Sequence, residues 1–492
     1  TAGGRMPNSA RKTTWLQRAL AAVGTLALVT GLSLTPASAI SFTIDDTTQE
    51  AQAIPQDLSA CPTLTATPRA FEAWFNTDDM EYRGYLDAND QSPWNYAKKM
   101  AQIVCGAKQD SKIMIGMYFI RAIGTTARPE SDAEMIWRAM EYVNKKRNVT
   151  IGFVMDGGSI TPASAKSNIV KRLVDSGIAK IYWCYNGCFN TNKTSVFPWG
   201  INHEKFMTLS DTVWENDGDV HPAVFSSSGQ YARSQVRTYW QESSLIYDDV
   251  LLYRNFADRY ANMKICSGSR TSSAFVTNCK GGKFVSTTLD GVTMKKERGI
   301  WVDKFYRHYT DSGRGTTVSF SPQPQHDSSG DVINDYYSAQ FDNVDCVVDT
   351  KIRVAMYRLT VTRAENFVKT MVSLKNRGCD VKVLLSQTGG ATTISKDVIK
   401  ILKKGKALSM VRCTKLPTHT KMILITPSTS NAGRALFGTA NMTTSGLRYS
   451  EEHVITIDSR RATGSVSEDI ERALGVYQAG WNELNQGNKA CH

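Results

Sequence analysis

The sequence predicts an α/β protein made of two homologous α/β/α sandwich halves, related by a pseudo-twofold and sharing one active site at their interface. Three observations carry this. A strand–helix–strand–helix pattern occurs twice. His-x-Lys also occurs twice, as His203-Glu204-Lys205 and His419-Thr420-Lys421, and nowhere else in the 492 residues. The two motifs hold corresponding places in the two copies, each at the head of an apolar run, Phe206-Met207-Thr208-Leu209 and Met422-Ile423-Leu424-Ile425. By chance roughly one His in fifteen carries a Lys two places on, so one pair means little and two matched pairs mean much. On an extended strand His and Lys two apart project from one face.

The N-terminus reads as a secretion signal, residues 1–39. Arg5, Arg11, Lys12 and Arg18 precede an apolar stretch over 19–34, and Ala37-Ser38-Ala39 has the small-residue cleavage pattern. A membrane anchor is the competing reading, but the run is short and rich in Ala, Gly and Thr. A segment over 40–65 follows. The expected address is extracellular. Ten cysteines, all beyond residue 39, suit an exported, disulfide-bonded chain. Cys184 with Cys188, and Cys266 with Cys279, could each close a small loop; spacing leaves the other pairings open. No CxxC pair completes a zinc set, and no metal or other cofactor is expected.

The first half is expected over 66–255. Lys112-Ile113-Met114-Ile115-Gly116-Met117-Tyr118-Phe119-Ile120 reads as a buried strand and aligns with Lys351-Ile352-Arg353-Val354-Ala355-Met356-Tyr357-Arg358-Leu359 in the second half, expected over 311–492. Helices follow over 133–146 and 363–376, then buried strands over 149–155 and 381–385. Gly157-Gly158 and Gly389-Gly390 mark turns. Second helices are expected over 165–176 and 395–404, then short strands ending in Cys184 and Cys413, then the His-x-Lys strands. This order implies parallel pairing in a layered sheet. Residues 239–248 match 449–458 without a gap, which pairs Glu242 with Glu452. Residues 256–310 have no counterpart and read as a linker or insertion.

Phosphodiester cleavage needs a nucleophile, a proton donor for the leaving oxygen and positive charge around the phosphoryl oxygens. His203 and His419 can fill the first two roles and Lys205 and Lys421 the third. Asn441 can add neutral hydrogen bonds. Glu242 and Glu452 read as carboxylates that orient the imidazoles. The net charge of +12 suits an anionic headgroup or nucleic acid, but the basic residues are spread out, without a polybasic block.

With these motifs the chain resembles the phospholipase D superfamily. The second half carries Gly438-Thr439-Ala440-Asn441 after its His-x-Lys; the first carries Phe225-Ser226-Ser227-Ser228-Gly229. The resemblance covers most of 66–485. It implies that Ser227, Ser228 and Thr439 contact substrate, that His203 is the nucleophile and that His419 is the acid and base. The chain departs from the family pattern at Ser210 and Thr426, where an Asp is expected; Asp211 lies one residue late. The first-half Asn position falls on Gly229 or Tyr231.

A secreted two-motif chain of this kind resembles extracellular phospholipases D, whose substrate is a phospholipid at a membrane or micelle surface. An aromatic loop over 185–199, with Phe189, Phe197 and Trp199, could touch lipid or simply pack around Cys184 and Cys188. A nuclease is the alternative, although no aromatic-basic stacking surface is visible; a catalytically impaired lipid-binding relative is another. No stable protein partner is implied, and a monomer is expected.

Overall fold

A computed structural model describes residues 61, 67–75, 95–121, 132–157, 175–185, 187–189, 200–232, 239–267, 295–297, 300–302, 309–311, 313–322, 335–386, 394–414, 418–486 and 488–491. The chain divides into two compact units, 1–53 and 54–492. The first lies wholly outside the described residues, as do the expected signal segment, Phe197, Trp199, Gly158 and the Gly389-Gly390 turn. Every described element belongs to the second unit.

The first half holds β1 (Phe71–Phe75), β2 (Lys112–Met117), β3 (Ile120–Arg121), β4 (Thr150–Asp156), β5 (Ala179–Cys184), β6 (Lys205–Leu209), β7 (Ala223–Ser227), β8 (Tyr231–Ala232) and β9 (Glu242–Tyr247). Two short pieces follow, β10 (Lys295–Glu297) and β11 (Ile300–Val302). The second half holds β12 (Tyr309–Asp311), β13 (Arg314–Ser321), β14 (Lys351–Met356), β15 (Asp380–Ser386), β16 (Val411–Thr414), β17 (Lys421–Thr426), β18 (Arg434–Gly438) and β19 (Glu452–Ala462). They form a seven-stranded sheet, β1-β9-β7-β6-β2-β4-β5, and an eight-stranded one, β12-β13-β19-β18-β17-β14-β15-β16. The two orders match strand for strand from β9 to β5 and from β19 to β16.

Parallel pairing holds for β2-β4-β5 and β14-β15-β16. It does not extend to the His-x-Lys strands: β6 and β17 run antiparallel to β2 and β14. Each sheet is therefore mixed, because only the strands joined by helices need a crossover, and the later ones follow short connections.

The helices stack in layers. Asn95–Cys105 and Asp132–Arg147 cover one face of the first sheet, with Met100, Val104, Trp137 and Met140 buried against Ile113, Ile115 and Ile151. Val361–Asn376 and Lys396–Lys404 cover the equivalent face of the second, burying Phe367, Met371, Val398 and Leu402. A single apolar layer between the sheets holds two further helices, Val250–Ile265 and Gly464–Gln486, with Phe206, Leu252, Phe256, Met422, Ile455, Leu474 and Trp481. Each such fully buried side chain is worth about 1.5–3 kcal/mol relative to exposure, so a half on its own would leave this layer uncovered.

Both central helices touch both halves: Arg259 of the first donates to Ser321 O, and the second seats on strands of each sheet. Trp481 Nε1 donates to Val354 O (3.3 Å), and the backbone of Gly480 lies so close to Phe75 that an added Cβ would sit 2.2 Å from that ring. Asp249 caps Val250–Ile265 by accepting from Leu252 N. Residues 256–265, expected to open a linker, instead complete this helix, because Phe256, Tyr260 and Met263 recur at helical spacing and are buried.

Disulfides join Cys61 to Cys105, Cys184 to Cys188, Cys346 to Cys379 and Cys413 to Cys491. Cys266 is also disulfide-bonded, and Cys279 lies outside the described residues. No cysteine among the described residues is free. No helix among them is long and apolar enough to cross a membrane.

Candidate active site

The segments that carry the motifs meet where the two sheets face each other. His203 and His419 lie just ahead of β6 and β17, not within them. Two matched backbone bridges stitch the halves together there: Asn202 pairs with Glu451, and Thr418 with Trp240. His203 N donates to Glu451 O (3.0 Å) and His419 N to Trp240 O (2.6 Å). This brings the two imidazole rings to 6.5 Å between centroids.

His203 Nδ1 hydrogen-bonds Glu452 Oε2 at 2.7 Å. His419 Nδ1 lies 2.7 Å from the carbonyl oxygen of Ser228 and 2.8 Å from Lys421 Nζ. In both rings Nδ1 makes the shortest protein contact, a carboxyl group in one and a carbonyl oxygen in the other. Lys205 Nζ donates to His203 O and Lys421 Nζ to His419 O, each at 2.6 Å. Both ammonium groups are thus folded back beside their own imidazoles.

Two residues overlooked in the motif reading complete the walls. The Tyr118 ring lies 5.1 Å from that of His203, tilted by 59°, and the Tyr357 ring 4.4 Å from that of His419, tilted by 45°. Lys205 Nζ lies 5.7 Å from the Tyr118 ring and Lys421 Nζ 5.1 Å from that of Tyr357, within cation–π reach. Their signal was present: Met117-Tyr118 and Met356-Tyr357 occupy the same step of the repeat.

Burial governs the electrostatics. The lysines and glutamates are at most 2% exposed, whereas His203, His419 and Asn441 keep 8%, 5% and 8%; the imidazoles and the amide therefore sit nearest the opening. Burial, followed by the nearby lysine charges, holds both histidines well below their usual pKa, so both rings are neutral. Burial brings Lys205 down to about 7 against the pull of Glu452 and Glu204. It holds Lys421 well below its usual range, where Lys205 pushes it further. Burial also lifts Glu242 to about 7 and Glu452 well above the carboxylate range. The centre is thus short of negative charge, and a bound anion would favour the ammonium form of both lysines.

Strand pairing corrects the match of Glu242 with Glu452. Met207 pairs with Phe225, and Phe225 with Leu245; in the second half Ile423 pairs with Leu436, and Leu436 with Thr456. Counting back from Leu245 and Thr456, Glu242 matches His453, and Gln241 matches Glu452. The gap-free alignment was one residue out of register, which on a strand exchanges the two faces. Glu242 accordingly does not orient an imidazole. Its carboxylate accepts from Lys421 N (3.1 Å) and Ser228 Oγ (2.8 Å).

The same count matches Ser228 with Thr439 and Gln230 with Asn441. Ser228 N donates to Glu242 O, and Thr439 N donates to His453 O, at the same step. The first-half amide position is therefore Gln230, not Gly229 or Tyr231. Gln230 Oε1 and Asn441 Oδ1 are both buried with no partner among the described residues, and each can turn its amide toward a ligand. Gly229 packs against Gln241, where an added Cβ would meet Oε1 at 1.2 Å.

The hydroxyls expected to touch substrate have internal partners instead. Ser227 Oγ accepts from Gly229 N, Ser228 Oγ donates to Glu242, and Thr439 Oγ1 accepts from His453 N. They close the strand ends, since the sharp turn there leaves backbone groups to satisfy. Ser210 Oγ likewise accepts from Lys112 N, and Asp211 accepts from Thr212 N and His221 N. Phe189 is fully buried, so it packs in the core and cannot touch a lipid surface.

One cluster has metal-ligand spacing among the described residues: Glu215, Asp217 and His221. His221 Nε2 lies 3.0 Å from Asp217 and 3.4 Å from Glu215, and Nδ1 lies 3.0 Å from Asp248. Burial lowers the pKa of this ring, but Asp217, Asp248 and Glu215 outweigh burial and raise it above the ordinary value.

Residues 348–474 match the family model described as "Cardiolipin synthase, PLD-like domain". Among solved structures, phosphatidylserine synthase from Haemophilus influenzae Rd KW20 superimposes with a TM-score of 0.52 at 10% identity, over 90% of this chain and 92% of that one. Yeast tyrosyl-DNA phosphodiesterase gives 0.42 at 10% identity, over 74% and 87%. Nuc from Salmonella typhimurium, a phospholipase D family member, gives 0.26 at 16% identity, over 36% and 97%. No curated protein matches the chain significantly. The chain thus shares a two-halved α/β fold with the synthase across nearly its full length, and residues 348–474 match a phospholipase D-like domain.

Proposed function

We propose that this chain is a secreted, metal-independent phosphodiesterase, a phospholipase D that hydrolyses a phospholipid headgroup and leaves phosphatidic acid. The observation that carries the reading is the meeting of two neutral imidazoles, 6.5 Å apart and each backed by a lysine, from halves 216 residues apart in the chain. Reacting atoms need to approach within about 3–3.5 Å, so one phosphorus can sit between the rings and be addressed by both.

His203 Nε2 attacks phosphorus. The N–P bond forms as the P–O bond to the headgroup breaks, and the departing alkoxide takes the Nε2 proton of His419, a ring that the bound phosphate anion draws into its imidazolium form. Glu452 holds the attacking ring through Nδ1 and supports the positive charge that develops on it. Lys205, Lys421 and the amides of Gln230 and Asn441 face the phosphoryl oxygens and stabilise their growing charge. His419 then accepts a proton from water, whose oxygen attacks phosphorus, and the N–P bond breaks. The N-terminal signal pattern and the disulfides support an extracellular address.

The test is release of choline or ethanolamine from phosphatidylcholine or phosphatidylethanolamine vesicles in buffer containing EDTA, alongside plasmid DNA and RNA. Headgroup release that disappears in His203→Ala and His419→Ala is expected. Cleavage of nucleic acid alone would make the chain a nuclease, and the absence of any turnover would make it a binding protein.

A further inference from the structure

The middle residue of the first motif has a partner of its own. Glu204 is fully buried, and its Oε2 lies 2.5 Å from His453 Nδ1. Its other oxygen, Oε1, accepts from Arg259 Nε at 3.1 Å. Arg259 lies between the rings of Phe189 (4.7 Å) and Phe320 (5.0 Å) and donates to Ser321 O. His453 Nε2 shares a hydrogen bond of 2.7 Å with Ser226 Oγ. Glu204 stands next to His203, and His453 stands next to Glu452. Two neighbouring residues of one half thus pair with two neighbours of the other, His with Glu and then Glu with His.

The second half has no such step. Thr420 replaces Glu204 in its motif, and strand pairing matches Glu242 with His453 and neutral Gln241 with Glu452. A buried charge without partners is strongly unfavourable, whereas a paired and hydrogen-bonded one fixes geometry. Four elements are locked by this ion group: the head of β6, β7, β19 and helix Val250–Ile265. Two of them, the head of β6 and β19, carry His203 and Glu452.

We propose that Glu204, clamped by His453 and Arg259, is a positioning residue for His203: it sets the step at which Glu452 meets the imidazole and gives this ring a support that His419 lacks. The proposal rests on the reading of His203 as nucleophile and adds the reason why the two histidines are not equivalent. Its charge also reaches the site. Burial pushes Glu452 away from its ionised form most strongly; Lys205, Thr439 and Lys421 favour that form, and Glu204 opposes it.

The experiment uses the full mature chain with Glu204→Gln and His453→Asn, assayed on bis(p-nitrophenyl) phosphate and on phosphatidylcholine vesicles in EDTA, with His203→Ala in parallel. Each variant is expected to lose about 10–100-fold in kcat, with KM within about threefold and circular dichroism as in the wild type. In Glu204→Gln the pH limb that depends on Glu452 should move to lower pH, because a neighbouring negative charge is gone. Unchanged kcat and an unmoved limb in a folded variant would overturn the proposal. Independently of turnover, the ¹⁵N-histidine spectrum should show the Nδ1 signal of His203 displaced in both variants; an undisplaced signal also overturns it. Full activity in His203→Ala would instead defeat the underlying site reading, which the spectrum does not depend on.

Discussion

Nδ1 of His203 lies 2.7 Å from Oε2 of Glu452, a residue 249 positions away in the other half. This bond makes the site a joint product of both halves and makes it asymmetric, since Gln241 stands where a second such carboxylate would be. Glu452→Gln should lower kcat about 10–100-fold with little change in KM. Glu242→Gln, whose carboxylate contacts Lys421 N and Ser228 Oγ and no imidazole, should cost less. Steady-state kinetics on both variants check this; the reverse order contradicts the assignment.

Lys205 is brought down to about 7 by burial. Below that pH the free enzyme carries the ammonium form and attracts an anionic phosphodiester; above it the charge is lost. The ratio kcat/KM, which reports the free enzyme, should therefore fall as pH rises through about 7. Lys205→Met should lower kcat/KM throughout and flatten that limb. A profile that rises across this range would contradict the assignment.

Gln230 and Asn441 occupy matched positions and carry buried amide oxygens without partners among the described residues. Removing one donor to a developing oxyanion costs about 10²–10³-fold in kcat. Gln230→Ala and Asn441→Ala should each fall in that range while keeping the wild-type melting temperature. A silent Gln230→Ala would exclude it from the phosphate site.

Gly480 lies within a helix, where Ala would ordinarily be favoured by about 1 kcal/mol. Here a Cβ would meet the Phe75 ring at 2.2 Å, and overpacking costs about 1–3 kcal/mol. The clash outweighs the propensity, so Gly480→Ala should be destabilised by up to about 2 kcal/mol in urea unfolding. A stabilised variant would show that the C-terminal helix does not seat on β1 as described.

Asp217, Asp248 and Glu215 surround His221 and raise its pKa above the ordinary value. A raised folded pKa means that its contribution is fully present below the unfolded value of about 6.5 and is lost as pH rises through the folded value. The urea midpoints of wild type and His221→Gln should therefore differ below about pH 6.5 and converge on alkalinisation. Midpoints that diverge as pH rises would contradict this.

Much of this was legible in the chain. The apolar strands at 112–117 and 351–356 and the paired His-x-Lys motifs point to a duplicated α/β fold with a shared centre. Three things were not. Glu242 and Glu452 align in sequence, yet strand pairing sets them one residue apart, and a one-residue slip on a strand leaves little trace in an apolar pattern. Gln230 went unseen because the expected amide was Asn. Tyr118 and Tyr357 looked like strand ends until the imidazoles were placed beside them. In each case the deciding contacts join residues far apart in the chain, which local periodicity does not report.

The central claim is tested most directly by quenching the enzyme in alkaline SDS, where an N–P bond survives, during turnover of a phosphodiester labelled with ³²P at its phosphorus and mapping the labelled peptide at alkaline pH. Label on His203, lost in His203→Ala and accumulating in His419→Ala, is the predicted result. An actively turning-over enzyme that carries label on neither histidine would contradict it.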